Sequence, residues 1–224
     1  MIDYSPLLLS LKLACIVTII LFIVALPLAY WLAYSPFRFK AIAEAAITLP
    51  LVLPPSVLGF YLLLAFSPGN VFGKFLEHYF NLRLVFTFEG LVIASVLYSL
   101  PFMANPILAG LKNLPPSLKE ASFTLGKSRF TTLTKILLPN IRASVLTGIV
   151  MTFAHTLGEF GVVLMVGGSI PKETKLVSIA IYDEVESMNY HSASVYAIIL
   201  FAFTFIILLG VYLVNNRHRH VNLF

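Results

Sequence analysis

Five long apolar runs constrain what this chain of 224 residues can fold into. Each run is longer than the about 20 residues that a helix needs to cross a bilayer core about 30 Å thick. Hydrophobic residues make up 59% of the chain and charged residues only 11%, whereas about a quarter of the residues in a soluble domain carry a charge. The runs therefore predict five membrane-spanning helices, at about residues 7–33, 43–66, 90–111, 141–167 and 192–214.

The same runs select between the two classes of membrane fold. They show no alternation of polar and apolar residues, and each is about twice as long as a barrel strand requires, so a β-barrel is excluded. We predict an all-α membrane protein in which residues 1–224 form a single transmembrane domain. The one cysteine excludes a disulfide framework and a cysteine-rich metal site, and no metal site is expected elsewhere in the predicted bundle.

The basic residues fall unevenly on the two sides of the predicted helices. Ten lie on one side, at Arg38, Lys40, Lys112, Lys119, Lys127, Arg129, Lys135, Arg142, Arg217 and Arg219, and five lie on the other, at Lys12, Lys74, Arg83, Lys172 and Lys175. The positive-inside rule places the richer side in the cytoplasm, with the N-terminus outside and the C-terminus inside. Because topology and anionic lipid account for the net charge of +5, no nucleic acid partner is expected. We expect a multi-pass protein of the cell (inner) membrane.

Prolines interrupt the second apolar run at Pro50, Pro54 and Pro55, and Ser56 follows them. A proline removes a backbone donor, and lipid tolerates the freed carbonyl only where neighbouring helices or water satisfy it. Two interpretations remain open. The run lines an interior path through the bundle, or the prolines form an ordinary kink that serves packing.

A polar stripe marks the fourth run. Thr152, His155, Thr156 and Glu159 are spaced i, i+3, i+4 and i+7, which predicts that all four lie on one face of a helix inside the bundle. The stripe is either a gate or proton relay through His155 and Glu159, or a structural hydrogen-bond network between helices. If the cargo is an anion, a carboxylate on its route would repel it, so Glu159 is a poor ligand.

A compact basic segment separates the third and fourth runs. Prolines at 115 and 116 and Ser117 begin a predicted helix over residues 117–125, which Gly126 ends. The residues Gly126-Lys127-Ser128 match the last three positions of a phosphate-binding loop. The rest of that motif is missing, because Ala121 stands at the position of its first glycine and no predicted strand precedes the segment. We therefore expect no catalytic residues and no cofactor bound by this chain, and any active process must draw on a partner or an ion gradient. The tail Arg217–His220 is interpreted as a charged helix end, with a metal site as the alternative.

The segment from Glu120 to Pro139 resembles the EAA motif of ATP-binding-cassette (ABC) importer permeases. The family pattern is Glu-Ala-Ala, three residues, Gly, nine residues, then Ile-x-Leu-Pro. The matching positions here are Glu120, Ala121, Gly126, Ile136, Leu138 and Pro139, and Ser122 stands in place of the third motif residue, alanine. The stretches at residues 49–55 and 157–161 are similar to molybdate importer permeases, which group with the sulfate and iron permeases.

This resemblance implies a type I ABC importer (MetI-like) permease fold. Two copies would form the pore as a homodimer in the lipid bilayer, two ABC ATPase subunits would use ATP and Mg below them, and an extracytoplasmic oxyanion-binding protein would dock on residues 67–89 and 169–191. The predicted helix over 117–125 would be the coupling helix, with the seven motif positions as the ATPase-coupling residues. The implied cargo is molybdate or tungstate, with sulfate, thiosulfate or another anion of the same family as the alternative.

Two functions of other classes also use residues of this chain. A self-sufficient ion-coupled carrier would use His155 and Glu159, and an intramembrane enzyme would use the same pair as acid and base. Neither function requires the spacing from Glu120 to Pro139, whereas the importer does.

Overall fold

The computed structural model describes residues 3–36 and 38–219, and the regular structure in these ranges is helical. Three uninterrupted helices are long and apolar enough to cross a membrane: α1 (Ser5–Tyr34), α5 (Phe88–Lys112) and α12 (Tyr190–Arg219). The sequence runs 7–33, 90–111 and 192–214 lie within them. The side chains of the predicted charged helix end, Arg217–His220, lie outside the part of the chain that the structure describes.

The second apolar run forms two helices instead of one. Between α2 (Lys40–Val52) and α3 (Pro55–Phe66), Leu53 and Pro54 are extended, and the two helix axes are bent by 110°. A residue that precedes a proline is pushed out of the helical region, and here Leu53 and Pro54 both precede one. Pro55 then begins α3, where its missing N–H breaks no helical bond. The prediction of one continuous helix over 43–66 is therefore wrong.

The fourth apolar run is also divided. α9 (Arg142–Leu157) ends before Gly158, and a short helix, α10 (Gly161–Gly167), follows after three residues. Glycines at 158 and 161 flank the break, and each disfavours a helix interior by about 1 kcal/mol relative to alanine. The prediction of a single helix over 141–167 is wrong for this reason.

Shorter helices connect the long ones. They are α4 (Val71–Phe80), α6 (Pro116–Thr124), α7 (Arg129–Thr132), a π-helical turn (Leu133–Leu137), α8 (Leu138–Asn140) and α11 (Val177–Glu186). In the π-helical turn, the Leu138 N–H bonds the carbonyl of Leu133, five residues back. Pro139 follows, and in a regular α-helix its ring would clash with the carbonyl of Lys135. The wider turn accommodates this proline. The helical segment Arg129–Asn140 then meets α9 at a bend of 82°.

α5 lies at the centre of the bundle, between α1 and α9. Its buried side chains include Met103 and Ile107, which pack with Leu13 and Leu21 of α1 in one apolar core. Gly148 allows α9 to approach, because a Cβ there would lie 3.1 Å from the Met103 carbonyl oxygen. On the other side of the bundle, α3 packs along α10.

Polar contacts join the helices at each end of the bundle. At the end we call the basic end, the Tyr34 hydroxyl donates to the Leu111 carbonyl (3.3 Å), and Lys112 pairs with Glu44 at 2.8 Å. These contacts gather the end of α1, the end of α5 and the start of α2. At the opposite end, the Val177 N–H donates to Ser10 Oγ at 2.8 Å. The bundle thus has two distinct ends, and the basic segment with α6 lies at the first.

Candidate functional site

The helix predicted over residues 117–125 corresponds to α6, Pro116–Thr124. It ends in a Schellman motif, in which the Gly126 N–H donates to the Phe123 carbonyl (2.9 Å) and the Lys127 N–H to the Ser122 carbonyl (3.1 Å). Gly126 has a φ of +70°, a left-handed conformation that favours glycine. No other heavy atom lies within 4 Å of a Cβ added at Gly126, so its backbone angle and not a lack of space explains the glycine.

The side chains of α6 divide between two faces. Glu120 and Ala121 are exposed, and so is Leu125 at the end of the helix, whereas Ser122 is buried. The first two motif residues therefore point away from the bundle and form an accessible surface. The third points into it.

Ser122 is the one departure from the family pattern, and the structure gives it a partner. Its Oγ lies 2.8 Å from Thr132 Oγ1, and both side chains are buried. Because the Thr132 hydroxyl donates to the Ser128 carbonyl at 2.9 Å, Ser122 is the donor of the shared bond. The serine therefore ties α6 to α7, which an alanine could not do.

The second half of the motif lies in the helical segment that leads to α9. Ile136 and Leu138 are half-buried, Pro139 is exposed, and Leu137 between them is completely buried. This half anchors the segment in the bundle, while Glu120 and Ala121 remain outside. The two halves of the motif thus have different structural roles.

His155 and Thr156 of the predicted polar stripe join α9 to α5. Ser99 Oγ lies 3.0 Å from His155 Nδ1 and 3.0 Å from Thr156 Oγ1. The His155 ring stacks on Phe102 with a centroid distance of 3.9 Å and lies 4.7 Å from the ring of Tyr98. These contacts favour the hydrogen-bond network among the interpretations of the stripe.

Glu159 does not lie on the helical face predicted for it, because α9 ends at Leu157. The helix break places it inside the bundle, where only 3% of the residue is exposed. Neither carboxyl oxygen has a hydrogen-bond partner among the described residues, and the same is true of Ser95 Oγ and Thr152 Oγ1. The Glu159 carbonyl accepts a bond from Ser178 Oγ (2.5 Å). In the described part of the chain, no hydrogen bond or ion pair joins His155 to Glu159.

The two helix breaks contact each other. A Cβ on Gly161 would lie 2.8 Å from Pro55 Cβ, so the absence of a side chain allows the start of α10 to meet the start of α3. Gly59, one turn further along α3, continues this contact, since its Cβ would lie 2.9 Å from Met165 Cβ. Among the predicted pore or gate candidates, this contact involves Pro55. Thr152, His155 and Thr156 lie on α9, which packs against α5 and α1.

The proline-rich part of this region lies at the surface of the single chain. Pro54, Pro55 and Ser56 are exposed, and Pro50 is half-buried. Ser99, His155 and Thr156 form a hydrogen-bonded group that we call the polar cluster. The sequence pattern of the apolar runs did not identify Ser99, or Ser95, which is buried one turn before it on α5. Their spacing of i and i+4 places them on one helical face, and this spacing is the signal that could have revealed them. Among the described residues, no group of three or more His, Cys, Asp or Glu side chains could hold a metal ion.

Residues 25–220 match the family described as the binding-protein-dependent transport system inner membrane component. The chain belongs to this family. It is 40% identical over 210 residues to the molybdenum transport system permease protein ModB of Azotobacter vinelandii, covering 94% of this chain and 93% of that one. It is 29% identical to the sulfate transport system permease protein CysT of Salmonella typhimurium, covering 85% of this chain and 68% of that one. The predicted family and the inner-membrane location are confirmed.

Solved structures show the fold. A bacterial ABC transporter involved in alginate import superposes with a TM-score of 0.77 at 17% identity, covering 95% of this chain and 78% of that one. An amino acid ABC transporter superposes with a TM-score of 0.65 at 21% identity, covering 95% and 92%. The chain therefore has the fold of an ABC importer permease. The number of spans and the orientation in the membrane stay predictions, since three to five spans fit the helices described.

Replacing Ser99 tests whether the polar cluster stabilises the bundle. In Ser99→Ala, His155 and Thr156 lose a shared partner inside the protein, which is expected to cost about 1–3 kcal/mol. Thr18→Val is the control, since it removes a buried hydroxyl that has no partner among the described residues and keeps the shape of the side chain. The thermal unfolding midpoint of the purified permease should fall in Ser99→Ala and stay the same or rise in Thr18→Val. Equal midpoints for the two variants would contradict the network.

Proposed function

We propose that this chain is the permease subunit of an ATP-driven importer that carries an oxyanion, molybdate or tungstate, into the cytoplasm. The observation that carries this proposal is the 40% identity to a molybdenum permease over almost the whole of both chains. The sulfate permease relative is less similar and is longer, since the alignment covers only 68% of its length. That likeness makes sulfate the second candidate cargo.

The exposed face of α6 supports docking to an ATPase. Glu120 and Ala121 face outward on a helix whose ends are fixed by Pro116 and by the cap at Gly126. Two ABC ATPase subunits, which use ATP and Mg, would each receive one such helix. In this proposal the chain itself supplies no catalytic group and binds no cofactor. α6 therefore transmits the ATP-driven movement of the ATPase to the permease.

A continuous series of packed helical segments connects α6 to α9, which carries His155 and Thr156 of the polar cluster. The Ser122–Thr132 bond joins α6 to α7, and Leu137 anchors the following helical segment in the core. This segment leads directly into α9, which carries Thr152 and His155. A displacement of α6 by the ATPase would therefore move α9, and with it the region where the two breaks meet.

The exposed prolines support a second copy of the chain. Pro54, Pro55 and Ser56 lie at the surface of one chain although they sit in the middle of an apolar run. A homodimer that covers this surface would place the two breaks of each copy beside the path between them. ATP-dependent movement would then shift the population between inward-open and outward-open forms by bending at these breaks.

The end opposite α6 is proposed to receive the oxyanion-binding protein, on residues 67–89 and 169–191. In a related crystal structure, the alginate transporter is in complex with a substrate-bound periplasmic protein. The second loop is held in place by the buried hydrogen bond from Thr174 Oγ1 to the Gly167 carbonyl (2.7 Å) and by the ion pair of Lys175 with Asp183 (2.7 Å). The ion pair of Arg83 with Glu77 (3.3 Å) in the first loop is exposed and contributes little. An ordered surface of this kind supports docking of a preformed partner.

Two substitutions, one on the proposed coupling helix and one at its C-terminal cap, test the importer assignment. Glu120→Lys or Gly126→Asp should abolish oxyanion uptake and release the ATPase during purification, while the permease remains in the membrane. Glu120→Lys leaves the packing intact, because Glu120 is exposed. Gly126→Asp acts differently: it meets no steric clash, but it strains the left-handed backbone that caps α6. Lys172→Glu, in the loop of the opposite end, is the control and should retain the ATPase. Wild-type uptake with full ATPase retention in Gly126→Asp would refute the coupling role.

His155 distinguishes the importer from a self-sufficient proton-coupled carrier. The importer predicts that His155→Gln keeps at least about half of the uptake, since glutamine can replace the hydrogen bond to Ser99. A carrier that moves protons through His155 predicts complete loss. The measurement is uptake into vesicles with ATP present and with the proton gradient collapsed. Loss of uptake in an intact complex would favour the carrier.

The cargo is tested by the oxyanion that stimulates ATP hydrolysis. The permease, its ATPase and its binding protein are reconstituted in vesicles, and ATP hydrolysis is measured with molybdate, tungstate, sulfate and thiosulfate in turn. Molybdate and tungstate should stimulate several-fold at micromolar concentration, and sulfate should not. Stimulation by sulfate alone would replace the proposed cargo while leaving the importer assignment intact.

A further inference from the structure

A cavity of about 360 Å³ lies at the basic end, between the end of α1 and the coupling helix α6. Two cations, Lys119 and Arg129, line it together with aromatic side chains that include Trp31 and Phe123. Its volume is in the range of ligand sites, about 300–1,000 Å³. Nothing in the proposed transport path uses this cavity.

The cations of the cavity lack acidic partners. Lys119 Nζ lies 4.2 Å from the centroid of the Tyr34 ring and 5.7 Å from that of Phe123, so the rings fix its position. No carboxylate lines the cavity, and no ion pair involves Lys119 or Arg129 within the described ranges 3–36 and 38–219. Glu120 lines a neighbouring cavity and is exposed. Two uncompensated cations in a partly enclosed space attract an anion.

The position of the cavity indicates which anion it takes. Tyr30, Trp31 and Tyr34 fall within the last two turns of α1, where the helix leaves the apolar core. Tryptophan and tyrosine prefer this boundary of a membrane, and anionic lipids lie in the cytoplasmic leaflet. A lipid offers a phosphate for the cations and an acyl chain for the aromatic wall. A free anion would use only the first.

We propose that this cavity binds the phosphate group of an anionic phospholipid through Lys119 and Arg129. Lys119 and Phe123 belong to α6, Arg129 begins α7, and Tyr30, Trp31 and Tyr34 belong to α1. The headgroup therefore links the coupling helix to the first membrane span. Occupancy steadies α6 in the orientation that presents Glu120 and Ala121 to the ATPase, so coupling depends on anionic lipid.

The only tryptophan of the chain, Trp31, reports on the site directly. The full chain is placed in nanodiscs of phosphatidylcholine with 10% of a lipid brominated in its acyl chains, either phosphatidylglycerol or phosphatidylcholine. Brominated phosphatidylglycerol should quench Trp31 fluorescence at least twofold more than brominated phosphatidylcholine. The double variant Lys119→Gln, Arg129→Gln should remove this difference.

A second double variant controls for surface charge. Lys127→Gln with Lys135→Gln removes the same charge from the same basic segment, at two exposed residues that do not line the cavity. It should keep the preference for phosphatidylglycerol. Loss of the preference in this control, or equal quenching by the two lipids in the wild type, would overturn the site.

Free oxyanion is the competing source of the same chemistry. Inorganic phosphate or molybdate at millimolar concentration, at constant ionic strength, is added to wild-type nanodiscs that contain brominated phosphatidylglycerol. Unchanged quenching supports the lipid. Relief of quenching by either anion would overturn the lipid assignment and identify the cavity as a site for free oxyanion.

The effect on coupling rests on the proposed function and has its own readout. In vesicles, ATP hydrolysis by the complete importer should rise several-fold as phosphatidylglycerol increases from 0 to 30%, and the Lys119→Gln, Arg129→Gln variant should lose most of this rise. A flat response in the wild type would overturn the coupling effect. The quenching experiment needs neither ATPase nor cargo, so failure of the proposed function would leave the lipid site testable.

Discussion

Backbone groups that lack partners cost several kcal/mol each in hydrocarbon, and this constraint shapes the whole bundle. Helices can be interrupted at membrane depth only where neighbouring protein or water satisfies the freed groups. Here the two interruptions lie against each other, because Gly161 has no side chain to separate α10 from Pro55. The Ser178 hydroxyl satisfies the carbonyl of Glu159 in the second break. The packing of α3 along α10, and the burial of Glu159, follow from this arrangement.

The segment from Glu120 to Pro139 obtains its shape mainly from local hydrogen bonds and backbone geometry, and less from the apolar core. A left-handed glycine ends α6, a serine to threonine hydrogen bond joins it to α7, and a π-helical turn accommodates Pro139. Each device fixes one change of direction of the chain. Together they hold Glu120 and Ala121 outward while Leu137 remains in the core. These ties connect the segment from α6 to the core, as the proposed transmission of a displacement requires.

Features that depend on local sequence were predictable, and features that depend on distant partners were not. Run length and hydrophobicity predicted the regions of α1, α5 and α12, and the start and stop residues Pro116, Ser117 and Gly126 predicted α6. The same criterion could not detect that Gly158 and Gly161 would interrupt an apolar run, so Glu159 was placed on a helical face it does not occupy. The hydrogen bonds of Ser99 could not be predicted from the sequence for another reason. Its partners lie more than 50 residues away, on a helix whose rotation only the packed structure fixes.

The helical segment that contains the π-helical turn makes the interval between Gly126 and Ile136 sensitive to a change in length. Residues in a helix are rotated by about 100° from one to the next. Loss of one residue from the helical stretch between Arg129 and Ile136 would therefore turn Leu137 out of the core and rotate Pro139 about the helix axis. Substitutions along this stretch alter single contacts, whereas an insertion or deletion rotates everything that follows. The nine-residue interval between Gly126 and Ile136 therefore sets the rotation of Leu137 and Pro139 about the helix axis.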